Sequence, residues 1–390
     1  MKMNFPKTAV VHDWIDAYGG AERVIETICD LVQPASFHTL LANPKSALTK
    51  KLGPILKTSA LQKIPFAFSF HRYLLQFYPY FIEQMDLRDA NLIISSSHCV
   101  AKGVLTRSDQ LHISYVHTPA RYLWDQSQDY LEQNNIRGLK RAYVEWVFHR
   151  LRQWDVNSSS RVDLYIANSK FVSQRIWKTY RRPSIVVYPF VDLSKFVLNQ
   201  PAQKENHFVV LSRLVSQKRV DIAVRACSKL GIKLKVIGDG PEINYLRSIA
   251  GQTVEFLGQL DHSDMIKVVS SAQGLIFTPE EDFGIVPLEA MAVGTPVLAF
   301  GRGGALETVI SGKTGAFFTE QTDNSLILAL QSWRPEIYDF NALRERSRAF
   351  DSAVFTMRFS KIIHSAHSFF IQYNGFNEER FLKEHDLEST

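Results

Sequence analysis

Short apolar runs punctuate this chain, and most are followed by a stretch in which apolar residues recur at three- and four-residue steps. TAVVH at 8–12 leads through Gly19-Gly20 into Ala21 to Leu31, where Val24, Ile28 and Leu31 share a helical face. LIISSS and HISYV follow, then Asp163 to Ser169, with Ser169 placed to cap a helix through Val172 to Tyr180. Ile185 to Tyr188 closes this series. A second begins at His207, with strands predicted at Phe208 to Ser212, Lys233 to Ile237, Val254 to Leu257, Gly274 to Thr278 and Thr295 to Phe300. Runs so short and so apolar predict parallel strands buried on both faces, and hence an α/β fold.

Pro189-Phe190-Val191-Asp192 breaks regular structure between the two series and marks a hinge. Domains are therefore expected at 1–190 and 191–350. Residues 351–373 read as a terminal helix and 374–390 as a charged, solvated tail. The 390 residues, 45% of them apolar, suffice for two cores.

The segment EEDFGIVPLEAMAVGTPV carries the densest chemistry. A loop with Glu280, Glu281 and Asp282 follows a buried strand, and Pro287 to Ala292 reads as a short helix ended by Gly294. Glu281 then lies at a strand's carboxyl end and Glu289 in a helix's first turn. The N–H groups around Phe283, Gly284, Ile285 and Val286 make an anion site. Amides for a diphosphate beside carboxylates for hydroxyls suit a nucleotide sugar, although acidic residues also simply favour a helix N-terminus. Arg213 and Lys218, after the strand at 208–212, supply a fork and a point charge for the same diphosphate. Gly238-Asp239-Gly240 ends the next strand, where a nucleoside would sit. In the first series, strand ends gather His12, Asp13, His117, Arg121 and Asp125 along one sheet edge, with Ser95 to His98 beside them.

Charge is unevenly spread. Residues 1–190 hold 24 Lys+Arg against 15 Asp+Glu, net +9, and the remaining 200 hold 21 against 24, net −3. No nucleic-acid module accompanies the basic half, so an anionic membrane surface or a diphosphate-bearing acceptor accounts for it better. Residues 61–85 are dense in aromatics interspersed with Lys63 and Arg72, and 137–155 alternate Arg and Lys with Tyr143, Trp146, Val147, Leu151 and Trp154. The first stretch is the preferred docking surface; the second suits a helix packed on its own domain with a charged outer face. Three cysteines without ligand spacing point to a reducing cytosol, and no apolar stretch is long enough to span a membrane. An Asp-x-Asp pair and a G-x-G-x-x-G fingerprint are both absent, against a divalent metal and an NAD cofactor respectively.

Glu281 and Glu289, eight positions apart, resemble the signature of the retaining family 4 glycosyltransferases. VHDW…GGAERV, IANSKF, YPFVDLSKF, LSRLVSQKRVD and GDGPE match in order over roughly residues 8 to 360. The resemblance implies the GT-B architecture: two Rossmann-like doubly wound domains facing across a cleft, with a C-terminal helix crossing back to the first. It gives Gly19 and Gly20 a place near the diphosphate and acceptor, Glu281 the sugar hydroxyls, Glu289 the ribose and Arg213 with Lys218 the leaving group. VHTPARYLWD, GGAERV and SSSH resemble bacterial mannosyltransferases of polysaccharide and O-antigen assembly, in which His117 would contact the transferred sugar.

The expected reaction is metal-independent transfer of mannose from GDP-mannose, used as a substrate with no cofactor, to a lipid-linked saccharide of the undecaprenyl-diphosphate type. The expected place is the cytoplasmic face of the inner membrane, with peripheral attachment and other polysaccharide-assembly glycosyltransferases as conceivable neighbours. A UDP- or dTDP-sugar donor, a nucleotide-sugar epimerase or hydrolase, and a non-catalytic membrane scaffold remain open alternatives.

Overall fold

A computed structural model describes residues 5–16, 19–68, 70–196 and 202–385; the side chains of His71, Arg72 and Gln133 lie outside that description. The chain divides into one unit formed by residues 1–188 and 356–390 and a second formed by 189–355.

The first unit is built on a seven-stranded parallel sheet: β1 (Thr8–His12), β2 (Ser36–Thr39), β3 (Leu56–Thr58), β4 (Leu92–Ser97), β5 (Leu111–Val116), β6 (Leu164–Ala167) and β7 (Ile185–Val186). Their order is β3-β2-β1-β4-β5-β6-β7. Every residue of β1, β4 and β5 is buried, the serines and histidines included, as central strands of a sheet covered on both faces are. β1 is flanked by β2 and β4, with Val10 opposite Phe37 on one side and Ile94 on the other. The chain reverses direction of winding between β1 and β4. That is the topological switch point, where the carboxyl ends of two neighbouring strands open a crevice.

The second unit repeats the plan with β8 (Phe208–Leu211), β9 (Leu234–Ile237), β10 (Val254–Gly258), β11 (Gly274–Phe277), β12 (Val297–Phe300) and β13 (Gly315–Phe318). The order is β10-β9-β8-β11-β12-β13, also parallel, with its switch point between β8 and β11. A core of Val210, Val224, Val236, Ile276 and Leu298 packs with Trp333.

β2, β3 and β13 are strands that the apolar pattern does not predict. SFHT and LKT are short and partly polar, and GAFF follows a glycine-rich turn, so none carries a clear apolar run. The terminal helix spans Ser352–Tyr373, and its residues from Thr356 onward belong to the first unit. Its Phe359 packs edge-on against Tyr115 of β5, with ring centroids 6.0 Å apart. The tail differs from the solvated segment expected. Residues Glu378–Glu384 form a helix with Phe381 and Leu382 buried, Phe381 5.5 Å from Phe369, and Glu378 paired to Arg182 at 2.8 Å. Glu379, Arg380, Lys383 and Glu384 are exposed, whereas Glu378 turns inward to Arg182.

Candidate functional site

At the switch point of the second unit, β8 runs into Ser212–Leu214 and a short turn at Ser216–Lys218, which precedes the helix Val220–Leu230. β11 runs into Thr278 and the acidic loop, then into a helix that begins at Ile285 and ends at Ala292. The two loops are tied: Thr278 Oγ1 donates to the Lys218 carbonyl at 2.8 Å, and Gln321 Nε2 donates to the Thr278 carbonyl at 3.0 Å. Lys218 Nζ and Glu281 Oε1 are in direct contact as an ion pair. Arg213 is exposed on the same loop as Lys218.

The anion-binding feature has a clear backbone cause. Gly284 caps the helix at Ile285–Ala292 in the left-handed region, with φ 81°, and no side chain caps the helix in its place. The first amides, of Ile285 and Val286, precede Pro287, which has none to offer. The helix starts two residues earlier than expected, so Glu289 stands in its second turn and not its first. Phe283 is buried and sits under the loop. Gly303 and Gly304 hold the acidic loop from behind. Gly304 N donates to the Glu281 carbonyl at 2.8 Å, and a Cβ at Gly304 would lie 2.2 Å from the Phe283 Cα.

Gly238-Asp239-Gly240 lies against the β8 loop. Leu214 N donates to the Asp239 carbonyl at 2.9 Å, and the Asp239 carboxylate accepts from Gly240 N at 2.7 Å. A Cβ at Gly238, whose φ is 127°, would fall 1.9 Å from the Ser212 carbonyl oxygen; one at Gly240 would fall 2.3 Å from that of Leu214. These glycines allow two strand-end loops to touch, which brings the loop bearing Arg213 and Lys218 alongside the loop bearing Asp239.

The first unit's switch point gathers His12 at the end of β1 with Asp13 after it, Ser96 near the end of β4 with His98 after it, and His117 after β5. Asp13 is fully buried, and its two oxygens accept four backbone N–H groups, those of His98, Val100 and Ala101 at 2.6 Å and of Cys99 at 3.0 Å. It also pairs with His98 Nδ1 at 3.1 Å. This carboxylate therefore organises the loop after β4 and orients His98. His12 Nδ1 lies 3.1 Å from both the carbonyl and the hydroxyl oxygen of Ser96, and that hydroxyl lies 2.8 Å from His117 Nε2. Burial holds the His117 imidazole well below its ordinary range, with His12 and His98 adding to the effect. Burial likewise lowers His12, with His98 adding.

Asn168 and Ser169 of the IANSKF stretch now have a physical reason. Asn168 Nδ2 donates to the His117 carbonyl at 2.9 Å, and Ser169 Oγ accepts from Val172 N at 3.0 Å as the helix cap. Asp125 is paired with Arg175 Nε at 2.7 Å, and Arg175 Nη1 donates to Thr118 Oγ1 at 2.7 Å, so Asp125 braces the turn after His117. Arg121 is half-buried in that turn. Gly19 caps the helix Gly20–Val32, with its N–H donating to Glu22 Oε2 at 3.0 Å. The sequence does not single out Ser96 and His98 as individual site residues. Their signal was a strand ending in SSSH, which names the edge without saying which side chain matters.

Known proteins resemble this chain in sequence and in fold. Residues 18–195 match the family model described as Glycosyltransferase Family 4, and residues 194–336 match that described as Glycosyl transferases group 1. The alpha-1,3/1,6-mannosyltransferase alg2 of Schizosaccharomyces pombe is 28% identical over 275 residues, covering 58% of this chain and 51% of the relative. The human ALG2 mannosyltransferase is 25% identical over 255 residues, covering 56% and 58%. The chain thus spans about half the length of the curated relatives it matches. Among solved structures, a sucrose-phosphate synthase from Thermosynechococcus elongatus superposes with a TM-score of 0.66 at 18% identity, covering 93% of this chain and 99% of that one. Anabaena HepE in complex with UDP superposes with a TM-score of 0.64 at 17% identity, covering 92% and 100%. Two doubly wound parallel units, with the two family matches laid end to end from residue 18 to residue 336, place this chain in family 4 of the glycosyltransferases, with the GT-B fold.

Proposed function

We propose that the chain transfers mannose from GDP-mannose, with retention of configuration and without a metal ion, to a saccharide carried on a lipid diphosphate. The observation that carries this reading is the contact of Lys218 with Glu281 beside the uncapped amides of Ile285 and Val286. One short loop pair then offers a cation and amides to a diphosphate and a carboxylate to sugar hydroxyls. In the proposed chemistry Arg213, Lys218 and the helix amides stabilise charge on the departing diphosphate, where fixed donors act most strongly. The departing oxygen takes the proton of the acceptor hydroxyl while the new C–O bond forms on the face being vacated, so no protein nucleophile is needed. Glu281 holds the mannose hydroxyls, Glu289 the ribose, the Gly238–Gly240 backbone the base, and His117 the transferred sugar. The mannosyltransferase names of the fission yeast and human relatives support mannose as the sugar.

For the lipid part of the acceptor, the proposed surface is aromatic and lies on the first unit. Phe66 is 76% exposed and Tyr73 74%, and Phe66 holds a positive φ of 59°, a costly conformation for a bulky residue. Leu139, Tyr143 and Trp146 project from the helix Gly138–Ser158, whose Val147 and Leu151 face inward. Tyr143 Oη donates to Gln76 Oε1 at 2.9 Å, so the two stretches form one patch, with Lys63, Lys140 and Arg141 nearby in sequence. Aromatic residues with adjacent cations suit an anionic bilayer interface. No helix among the described residues is long and apolar enough to cross a membrane.

Calorimetric titration with GDP, UDP, GDP-mannose and UDP-glucose, in EDTA throughout, tests the donor. Selective binding of the guanosine compounds is expected; preference for uridine compounds, such as the UDP bound by Anabaena HepE, would overturn the donor while leaving the family intact. Sedimentation with vesicles containing anionic lipid tests the patch: binding should fall in Phe66→Ser with Tyr73→Ser and in Lys63→Glu, and unchanged binding would remove the surface.

A further inference from the structure

The hydroxyl of Ser96 stands between two histidines, and its geometry decides which nitrogen of each carries a proton. His12 Nδ1 lies 3.1 Å from the Ser96 carbonyl oxygen, which only accepts. His12 Nδ1 must therefore be the protonated nitrogen, since two lone pairs would otherwise face each other. The same N–H lies 3.1 Å from Ser96 Oγ, whose other neighbour is His117 Nε2 at 2.8 Å. Ser96 is fully buried, and its hydroxyl proton has no other acceptor among the described residues. Were His117 Nε2 to carry a proton, Ser96 Oγ would accept twice and leave its own proton unpaired in the interior, an arrangement that native structures avoid. The consistent network runs from His12 Nδ1–H to Ser96 Oγ, and from Ser96 Oγ–H to His117 Nε2.

We propose that Ser96 is a positioning residue that holds His117 as its Nδ1–H tautomer, so that the imidazole presents a hydrogen-bond donor, not a base, to the transferred sugar. The proposal rests on the reading that His117 meets the sugar, but the tautomer itself does not depend on the donor's identity. His117 is fixed on its other side as well. Asn168 holds its carbonyl, its N–H donates to the Ser97 carbonyl at 2.8 Å, and Tyr115 meets the ring edge-on at 5.2 Å. With backbone and ring both held, proton placement is the remaining freedom, and Ser96 removes it. A donor at this position accords with a reaction in which the departing diphosphate takes the acceptor's proton, because a histidine base beside the sugar would compete for it. The buried setting of His12 and His117 favours neutral rings, which the tautomer requires.

Nitrogen NMR of the full chain labelled at histidine tests this, with the His117 resonances assigned by their loss in His117→Gln. Near neutral pH the expected spectrum has His117 Nδ1 protonated and Nε2 bare. A protonated Nε2, a doubly protonated ring or an averaged mixture of tautomers would overturn the proposal. In Ser96→Ala, His117 should shift toward Nε2–H or a mixture, and kcat should fall on the order of tenfold with donor KM little changed. Ser96→Thr, which keeps the hydroxyl, should restore both. An unchanged tautomer in Ser96→Ala would overturn the assignment, and if that variant does not fold, the wild-type and Ser96→Thr spectra decide. Failure to turn over any nucleotide sugar would sink the functional reading, and the nitrogen spectrum would still judge Ser96.

Discussion

Glu281→Gln should move nucleotide binding and turnover in opposite directions. Glu281 touches Lys218, and their side chains are 21% and 32% exposed, so the pair is partly solvated and adds less than about 1 kcal/mol to stability. The variant should fold. In the proposed site the carboxylate stands beside a diphosphate and also occupies the lysine that would neutralise it. For a phosphate about 6 Å away and an effective dielectric of about 40, the repulsion removed is about 1.4 kcal/mol. GDP should therefore bind the variant up to about tenfold more tightly. Gln keeps the shape but loses the strong acceptor for mannose hydroxyls, and loss of orientation at the reacting carbon costs roughly 100-fold in kcat. Calorimetry with GDP and initial rates with GDP-mannose measure the two effects on one preparation. Lys218→Met should weaken GDP, and adding Glu281→Gln to it should recover part of the loss, since the lone carboxylate is then gone. A Glu281→Gln variant that loses GDP affinity and turnover by the same factor refutes the division of labour between carboxylate and cation.

Other consequences follow from the same contacts. Lys102 Nζ meets Asp155 Oδ1 at 2.7 Å with both side chains essentially inaccessible, and Trp124 and Tyr180 also donate to that carboxylate. Lys102→Met should cost about 3–5 kcal/mol in denaturant unfolding by stranding the charge, while Lys102→Met with Asp155→Asn should recover much of it. Gly238→Ala should weaken GDP binding and lower the thermal midpoint, because its Cβ meets the Ser212 carbonyl; wild-type behaviour would mean that the loops separate freely. Burial pushes His38 and His112 down to about 4. Their folded values lie below the unfolded value of 6.5, so the unfolded chain binds more protons between those limits, and stability present above pH 6.5 is lost as pH falls toward 4. A shift of that size is worth roughly 3 kcal/mol apiece, and His112→Gln should flatten the acid limb of a pH–stability curve.

What the sequence made legible were the strands that carry an apolar run or a cluster of apolar residues. β8, β11 and β12 are unbroken apolar runs, β1 carries one at Ala9 to Val11 and β4 one at Leu92 to Ile94, while β5 sets Leu111, Ile113, Tyr115 and Val116 around His112 and Ser114. β2, β3 and β13 obtain their strand character from a neighbour's ladder, as in Phe37 opposite Leu56 or Val297 opposite Gly315, and composition holds no trace of that. The tail hid its docking for a similar reason. Its charge count is that of a solvated segment, and only the fold shows that Phe381 is buried among Phe369, Phe376 and His385.

The sharper contrast concerns Asp13 and Glu281, two acids following parallel strands, each beside a switch point. Periodicity places both at a ligand edge and distinguishes neither. Their difference lies in what the strand across the switch point brings. To Asp13, β4 delivers a loop whose four N–H groups saturate both oxygens, from residues 85 to 88 positions away. A carboxylate so occupied and fully buried shapes a loop. To Glu281, β8 delivers a single flexible lysine, 63 positions away, on a surface that stays partly open. An ion pair of that kind can be exchanged for a ligand's phosphate and hydroxyls at small cost, whereas four buried backbone bonds cannot. Acid at a strand end is thus a statement about location. Whether it acts on a ligand depends on how strongly the partner strand's loop already claims it.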